Sequence, residues 1–163
     1  MSTIQYAGFW LRFVAYIIDY IIIQIIQSII ILPLLATFGF AFAATSFDYD
    51  WDQLSEGEII AIIIAIIGAV STMALISMII LVLYYSIMES SKYQATLGKM
   101  ALGLIVTDEE GNRLNFWKAF LRQVAKILSG MILMIGYIMA GLTEKKQALH
   151  DMIAGALVVK KAG

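Results

Sequence analysis

The sequence predicts an all-α integral membrane protein. It reads as a small polytopic helical bundle with two clear spans, a third span or re-entrant segment, and a short cytoplasmic strand-turn-strand insert. Three observations carry this reading. The 163 residues are 61% hydrophobic and 14% charged, with a mean hydropathy of +0.88, whereas a soluble domain averages about 25% charged. Two very long apolar runs occupy the first half. The lysines and arginines concentrate after them, as they do on the cytoplasmic side of a membrane protein. The length fits one domain, residues 1–163, with no separate soluble enzyme.

Composition also excludes chemistry. There are no cysteines and one histidine, His150, so disulfides, thiolate nucleophiles and multi-histidine metal sites within one chain are ruled out. Net charge is −1, which gives no footprint for nucleic acid. No cofactor is expected. No base–nucleophile arrangement can be traced, so the protein is not expected to be an enzyme.

The first predicted span runs from Phe9 to Leu32 and contains Arg12 and Asp19. Seven residues are about two helical turns, so both charges share a face, roughly 10 Å apart along the axis. Ala15 lies between them and leaves room for a neighbouring helix. A carboxylate such as Asp19 inside hydrocarbon is costly and calls for a partner or water. Tyr16 either hydrogen-bonds it or, the favoured reading, packs, and Gln24 and Gln27 either line a path or bond across helices. A cleaved signal peptide is disfavoured by the carboxylate and by the length of the run. Pro33 ends or kinks the helix, and Leu34–Phe47 follows as a kinked continuation or an interfacial piece.

Residues 48–58 hold five acids and no lysine or arginine, which suits a loop on the outer side. Ile59–Met88 is uncharged and forms the second span. Its Ala61, Ala65 and Ala69, with Gly68 and Thr72 one position round, make a small-residue seam of the kind that lets helices approach. That seam is the expected contact of a homo-oligomer. After Glu89 the basic residues begin, so the N-terminus is expected in the cytoplasm. Leu102–Thr107, Asp108–Gly111 and Asn112–Phe116 read as strand, turn and strand. Gly98-Lys99 lacks the rest of a phosphate loop, since Tyr93 and Met100 stand at its other positions.

Phe116–Ser129 is amphipathic. Lys118, Arg122 and Lys126 recur every four residues opposite Trp117, Leu121, Val124 and Leu128, which suggests a helix lying on anionic headgroups or a partner. Ile127–Leu142 is a third span or a re-entrant segment, and the positive-inside bias of Lys145, Lys146, Lys160 and Lys161 favours a C-terminus on the inner side. His150-Asp151 opens the last element, an apolar tail.

Three features together, Arg12 with Asp19, the stretch Thr96-Leu97-Gly98-Lys99-Met100-Ala101-Leu102-Gly103-Leu104, and His150-Asp151 followed by Ala154-Gly155 and Val158-Val159, resemble the RDD family of prokaryotic membrane proteins over Tyr6 to Val159. The resemblance implies a small multi-helix membrane domain in the prokaryotic plasma membrane. It makes Arg12 the arginine and Asp19 and Asp151 the aspartates of the family pattern. It also implies transport, since some members have been proposed as sodium–proton antiporters. This chain departs from the family at Leu97, where proline is frequent. The joint expectation is that Arg12 bridges Asp19 and Asp151 in a cluster of net charge −1, able to take a monovalent cation or a proton, or to pin helix one to the tail. His150 is either a proton relay or an orienting partner.

Overall fold

The computed structural model describes residues 5–46, 54–131 and 135–161. Most of the acidic loop, through Gln53, and residues 132–134 of the third apolar segment lie outside them. Helix α1 is Phe9–Ser46 and helix α2 is Glu56–Ser90. Both are long and apolar enough to cross a membrane. α1 runs on through Pro33, so Leu34 onward is a continuation; proline costs one backbone bond there, which helices in lipid tolerate. α2 starts earlier than its uncharged run because Ser55 and Glu58 form a capping box. The Ser55 amide and hydroxyl donate to Glu58 Oε2 at 2.8 and 2.7 Å, and the Glu58 amide donates back to Ser55 Oγ at 3.3 Å.

The chain divides into two compact units. One holds residues 23–80. Within it Gln27 Nε2 donates to the Ser77 carbonyl at 3.0 Å, a bond across helices, and Gln24 is exposed. Thr72 of the seam bonds its own helix, donating to the Gly68 carbonyl at 2.8 Å.

The other unit comprises the residues up to Ile22 and from Leu81 onward. It carries helix α3 (Leu97–Ala101), strand β1 (Leu104–Asp108), helices α4 (Phe116–Met131), α5 (Ile135–Leu142) and α6 (Leu149–Ala154), and strand β2 (Ala156–Lys160). The two strands form one antiparallel sheet in the register Leu104–Lys160 to Asp108–Ala156. The predicted partner of the first strand, Asn112–Phe116, therefore gives way to the tail. Only Thr107–Arg113 bridges as expected, after a turn closed by the Asp108 amide on the Asn112 carbonyl at 2.9 Å. The reason is apolar burial. Leu104 and Val106 pack with Val158 and Ala156 in one core with Ala7 and Ala15, whereas Asn112 and Arg113 are exposed. Gly155, at φ +58, ends α6 in the left-handed conformation and turns the chain into β2.

The N-terminal stretch lies on the far edge of β2. The Ala7 amide donates to the Val158 carbonyl at 2.8 Å, and the Lys160 amide to the Gln5 carbonyl at 2.9 Å. Both ends of the described chain therefore share one side. α5 folds back on α4, where Tyr137 donates to the Lys126 carbonyl at 3.2 Å and Gly136 sits against Ser129. α1 and α2 are the helices long and apolar enough to cross a membrane among the described residues.

Candidate functional site

Arg12 and Asp19 rise from the same face of α1, but they do not pair. Asp19, 1% exposed, is held by three neutral donors: Thr96 Oγ1 at 2.5 Å, the Gly98 amide at 2.8 Å and the Tyr84 hydroxyl at 2.9 Å. Tyr16 is half-exposed and faces the Tyr20 ring at 6.3 Å, so of its two readings packing holds. Asp19 thus supplies the cap that Thr96 does not give to the start of α3. Only glycine fits at 98, because a Cβ there would stand 2.2 Å from the Ala15 carbonyl oxygen and 2.9 Å from Asp19 Cγ. Ala15 does leave room for a neighbouring helix, and α3 fills it.

Arg12 reaches the tail instead. Its Nη1 bonds Asp151 Oδ2, its Nε donates to the Ala7 carbonyl at 2.9 Å, and its Nη2 donates to the Lys146 carbonyl at 2.6 Å. Asp151 also accepts from Arg122 Nε at 2.7 Å and from the Ala148 amide at 3.1 Å. Arg122 Nη1 continues to Glu89 Oε2 at 2.6 Å, which accepts from Gln123 Nε2 at 3.0 Å, while Glu89 Oε1 bonds Lys99 Nζ. The result is one chain of alternating sign, Arg12–Asp151–Arg122–Glu89–Lys99, in which both acids are fully buried. Burial raises the Asp151 carboxyl, but Arg122 and then Arg12 more than offset this and hold it below the usual carboxylate range. The expected net charge of −1 is replaced by three cations against two anions, with Asp19 apart on neutral donors.

The basic face of α4 is the clearest reversal. Arg122 is 2% exposed and locked between Asp151 and Glu89, so it does not face headgroups. Lys126 is half-buried with its ammonium 4.2 Å from the Tyr85 ring centre, a cation–π contact. Lys118 alone stays exposed, near the start of a helix capped by Asn115 Oδ1 on the Lys118 amide at 2.7 Å. Trp117, Leu121, Val124 and Ile127 form the outward face. Periodicity separates two faces of a helix without saying which is inside, and in a lipid-facing protein the polar one turns inward toward its counter-charges.

His150 is buried, with Nδ1 3.3 Å from Ser129 Oγ and Nε2 3.5 Å from Asp151 Oδ1. Burial pulls its imidazole down to about 2, which suits an orienting partner and not a relay near neutral pH. Among the described residues, no three His, Cys, Asp or Glu gather to hold a metal ion. Sequence reading missed Glu89, Lys99, Tyr84 and Gln123. Glu89 carried a usable signal, since it is the first charge after an apolar run of some thirty residues.

The sequence pattern of the RDD family matches residues 6–155. The uncharacterized protein YxaI of Bacillus subtilis is 41% identical over 95% of this chain and 97% of its own length. The uncharacterized membrane protein YteJ of the same organism is 25% identical over 98% of this chain and 84% of its own. The uncharacterized protein YckC is 26% identical over 97% and 87%. No solved structure matches.

Proposed function

Because the chain belongs to the RDD family and its site must speak for its chemistry, we propose that it is a non-transporting accessory membrane protein whose arginine and aspartates lock the fold at the membrane border. One observation carries this reading: the buried carboxylates are saturated by the protein itself. Asp19 accepts three bonds, and Asp151 and Glu89 each accept three from cations, an amide and an amide side chain. A cation entering here would have to displace these donors. Length supports the same reading. The uncharged stretch of α1 from Tyr20 to Ser46 spans about 40 Å as a helix, more than a hydrocarbon core of about 30 Å requires. A core placed within that stretch leaves Asp19 at its edge or outside it.

On this reading the paired ends and the sheet lie on the cytoplasmic side of a prokaryotic plasma membrane, in keeping with the lysine excess after Glu89. No catalytic step and no homo-oligomer are required. A second reading, exchange of monovalent cations or protons, is favoured by one feature: Asp19 touches only neutral donors, so a proton there would strand no cation. The test is proton flux in proteoliposomes under sodium, potassium or lithium gradients. The accessory reading expects flux equal to empty liposomes. Cation-dependent flux that Asp19→Asn removes, in protein that still folds, would establish the exchanger instead.

A further inference from the structure

Two cavities meet between the start of α1 and the end of α5. One, of about 490 Å³, is lined by Tyr6, Phe9, Trp10, Lys146 and Lys160. The other, of about 380 Å³, is lined by Phe9, Trp10, Ile138, Leu142 and Lys146. They share Gly8, Phe9, Trp10 and Lys146 and form one continuous groove. Its character changes along its length. Exposed Lys160 stands at one end and exposed Lys146 at the junction of the two cavities, and neither ammonium has an ion-pair partner among the described residues. Leu142, 81% exposed, marks the apolar end with Ile138, and Trp10, 73% exposed, stands at the junction beside Lys146.

Lys146 is placed there by the charge network. Its backbone holds φ +50, a left-handed conformation that costs a lysine energy. The Arg12 guanidinium grips its carbonyl at 2.6 Å, and its amide donates to Thr143 at 3.0 Å. Its side chain runs along Gly8, where a Cβ would lie 3.7 Å from both Lys146 Cδ and Nζ.

We propose that this groove binds one anionic phospholipid, with the headgroup phosphate on Lys146 and Lys160 and an acyl chain along Phe9, Trp10, Ile138 and Leu142. Charge complementarity selects an anionic headgroup over a zwitterionic one, and a tryptophan at headgroup depth fits this border. The anionic surface that the sequence assigned to α4 thus moves to the α1–α5 groove. Arg12 becomes a positioning residue for the lipid as well as a member of the lock. The site does not depend on whether the protein moves ions, so this test and the flux test fail separately.

The experiment uses the full chain with Trp51→Phe and Trp117→Phe, leaving Trp10 as reporter, in nanodiscs of unbrominated phosphatidylcholine. Brominated-chain phosphatidylglycerol or phosphatidylcholine is added at equal mole fraction. The expected result is about tenfold tighter quenching by phosphatidylglycerol, lost in Lys146→Gln/Lys160→Gln protein of unchanged thermal stability. Equal quenching by the two lipids in the protein that retains both lysines overturns the proposal without any reference to the variant. So does a preference that survives loss of both lysines. A preference abolished by millimolar inorganic phosphate at constant ionic strength would assign the cationic end to a free anion and also overturn it. A preference that appears only with self-association, read by sizing, would assign the groove to a second copy and overturn it too.

Discussion

Gly98→Ala puts the cradle of Asp19 to a direct test. The new methyl would start 2.2 Å from the Ala15 carbonyl oxygen, where a carbon–oxygen contact needs about 3.3 Å. The obstacle is helix backbone, so α3 must retreat by roughly 1 Å. That retreat stretches the 2.8 Å bond from the Gly98 amide and the 2.5 Å bond from Thr96 beyond hydrogen-bonding range. Asp19 is then left with Tyr84 alone. Two bonds to a carboxylate are worth about 1.5–3 kcal/mol each, so the loss is about 3–6 kcal/mol against a total of about 5–15 kcal/mol for a folded domain. At about 2–4 °C per kcal/mol for a chain of this size, the thermal midpoint in mild detergent, followed by circular dichroism, is expected to fall by about 6–24 °C. Gly57→Ala is the control, because nothing lies within 4 Å of a Cβ there, and its midpoint is expected to stay within a degree or two. A Gly98→Ala midpoint as close to the parent as that control would refute the cradle.

Two further outcomes follow from the same geometry. Leu97→Pro, which restores the residue frequent in the family, is expected to be nearly neutral. Position 97 is the first residue of α3 and Thr96 already sits at ψ 166, both suited to proline; the lost 3.2 Å bond from the Leu97 amide to Tyr84 is offset by a stiffer unfolded chain, whereas a midpoint drop like that of Gly98→Ala would contradict this placement. Acid should destabilise in two steps. His150 is held by burial down to about 2, so the fold keeps it neutral and loses stability as pH drops below the free value of about 6.5, by at most about 1.4 kcal/mol per unit. Asp151 is held below its usual range despite burial, by Arg122 and Arg12, so its contribution is present above about 3.9 and lost below. Unfolding midpoints from pH 8 to 3 should show His150→Gln flattening the upper step and leaving the lower one, and a His150→Gln profile identical to the parent would remove histidine from the account.

Much of the fold was legible in the sequence, and the reasons are local. Uncharged runs longer than a bilayer is thick name α1 and α2 without ambiguity, and small residues such as Ala15 mark close approaches. Arg12 and Asp151 could be joined because the family pattern names both and a membrane-embedded charge needs a counter-ion. What stayed hidden was non-local. Charges two turns apart on one face look like partners, yet Arg12 finds its carboxylate, and Asp19 its three donors, in segments more than sixty residues away. The tail displaced the neighbouring hairpin partner of β1 because its apolar residues complete a core that Asn112 and Arg113 cannot enter. Glu89 inverted α4 by drawing Arg122 inward, a pull that no periodicity of α4 itself records.

The claim on which the rest depends is that Arg12 belongs to Asp151 and Asp19 belongs to α3. Double-mutant cycles on thermal or denaturant stability measure it, with Arg12→Gln, Asp151→Asn and Asp19→Asn singly and in the two Arg12-containing pairs. The account expects a coupling of about 2 kcal/mol or more between Arg12 and Asp151, as for a buried pair. Between Arg12 and Asp19 it expects no more than about 0.5 kcal/mol, as for independent sites. A coupling between Arg12 and Asp19 as large as that between Arg12 and Asp151 would contradict the separation of the two acids and return all three charges to a single ion-binding cluster.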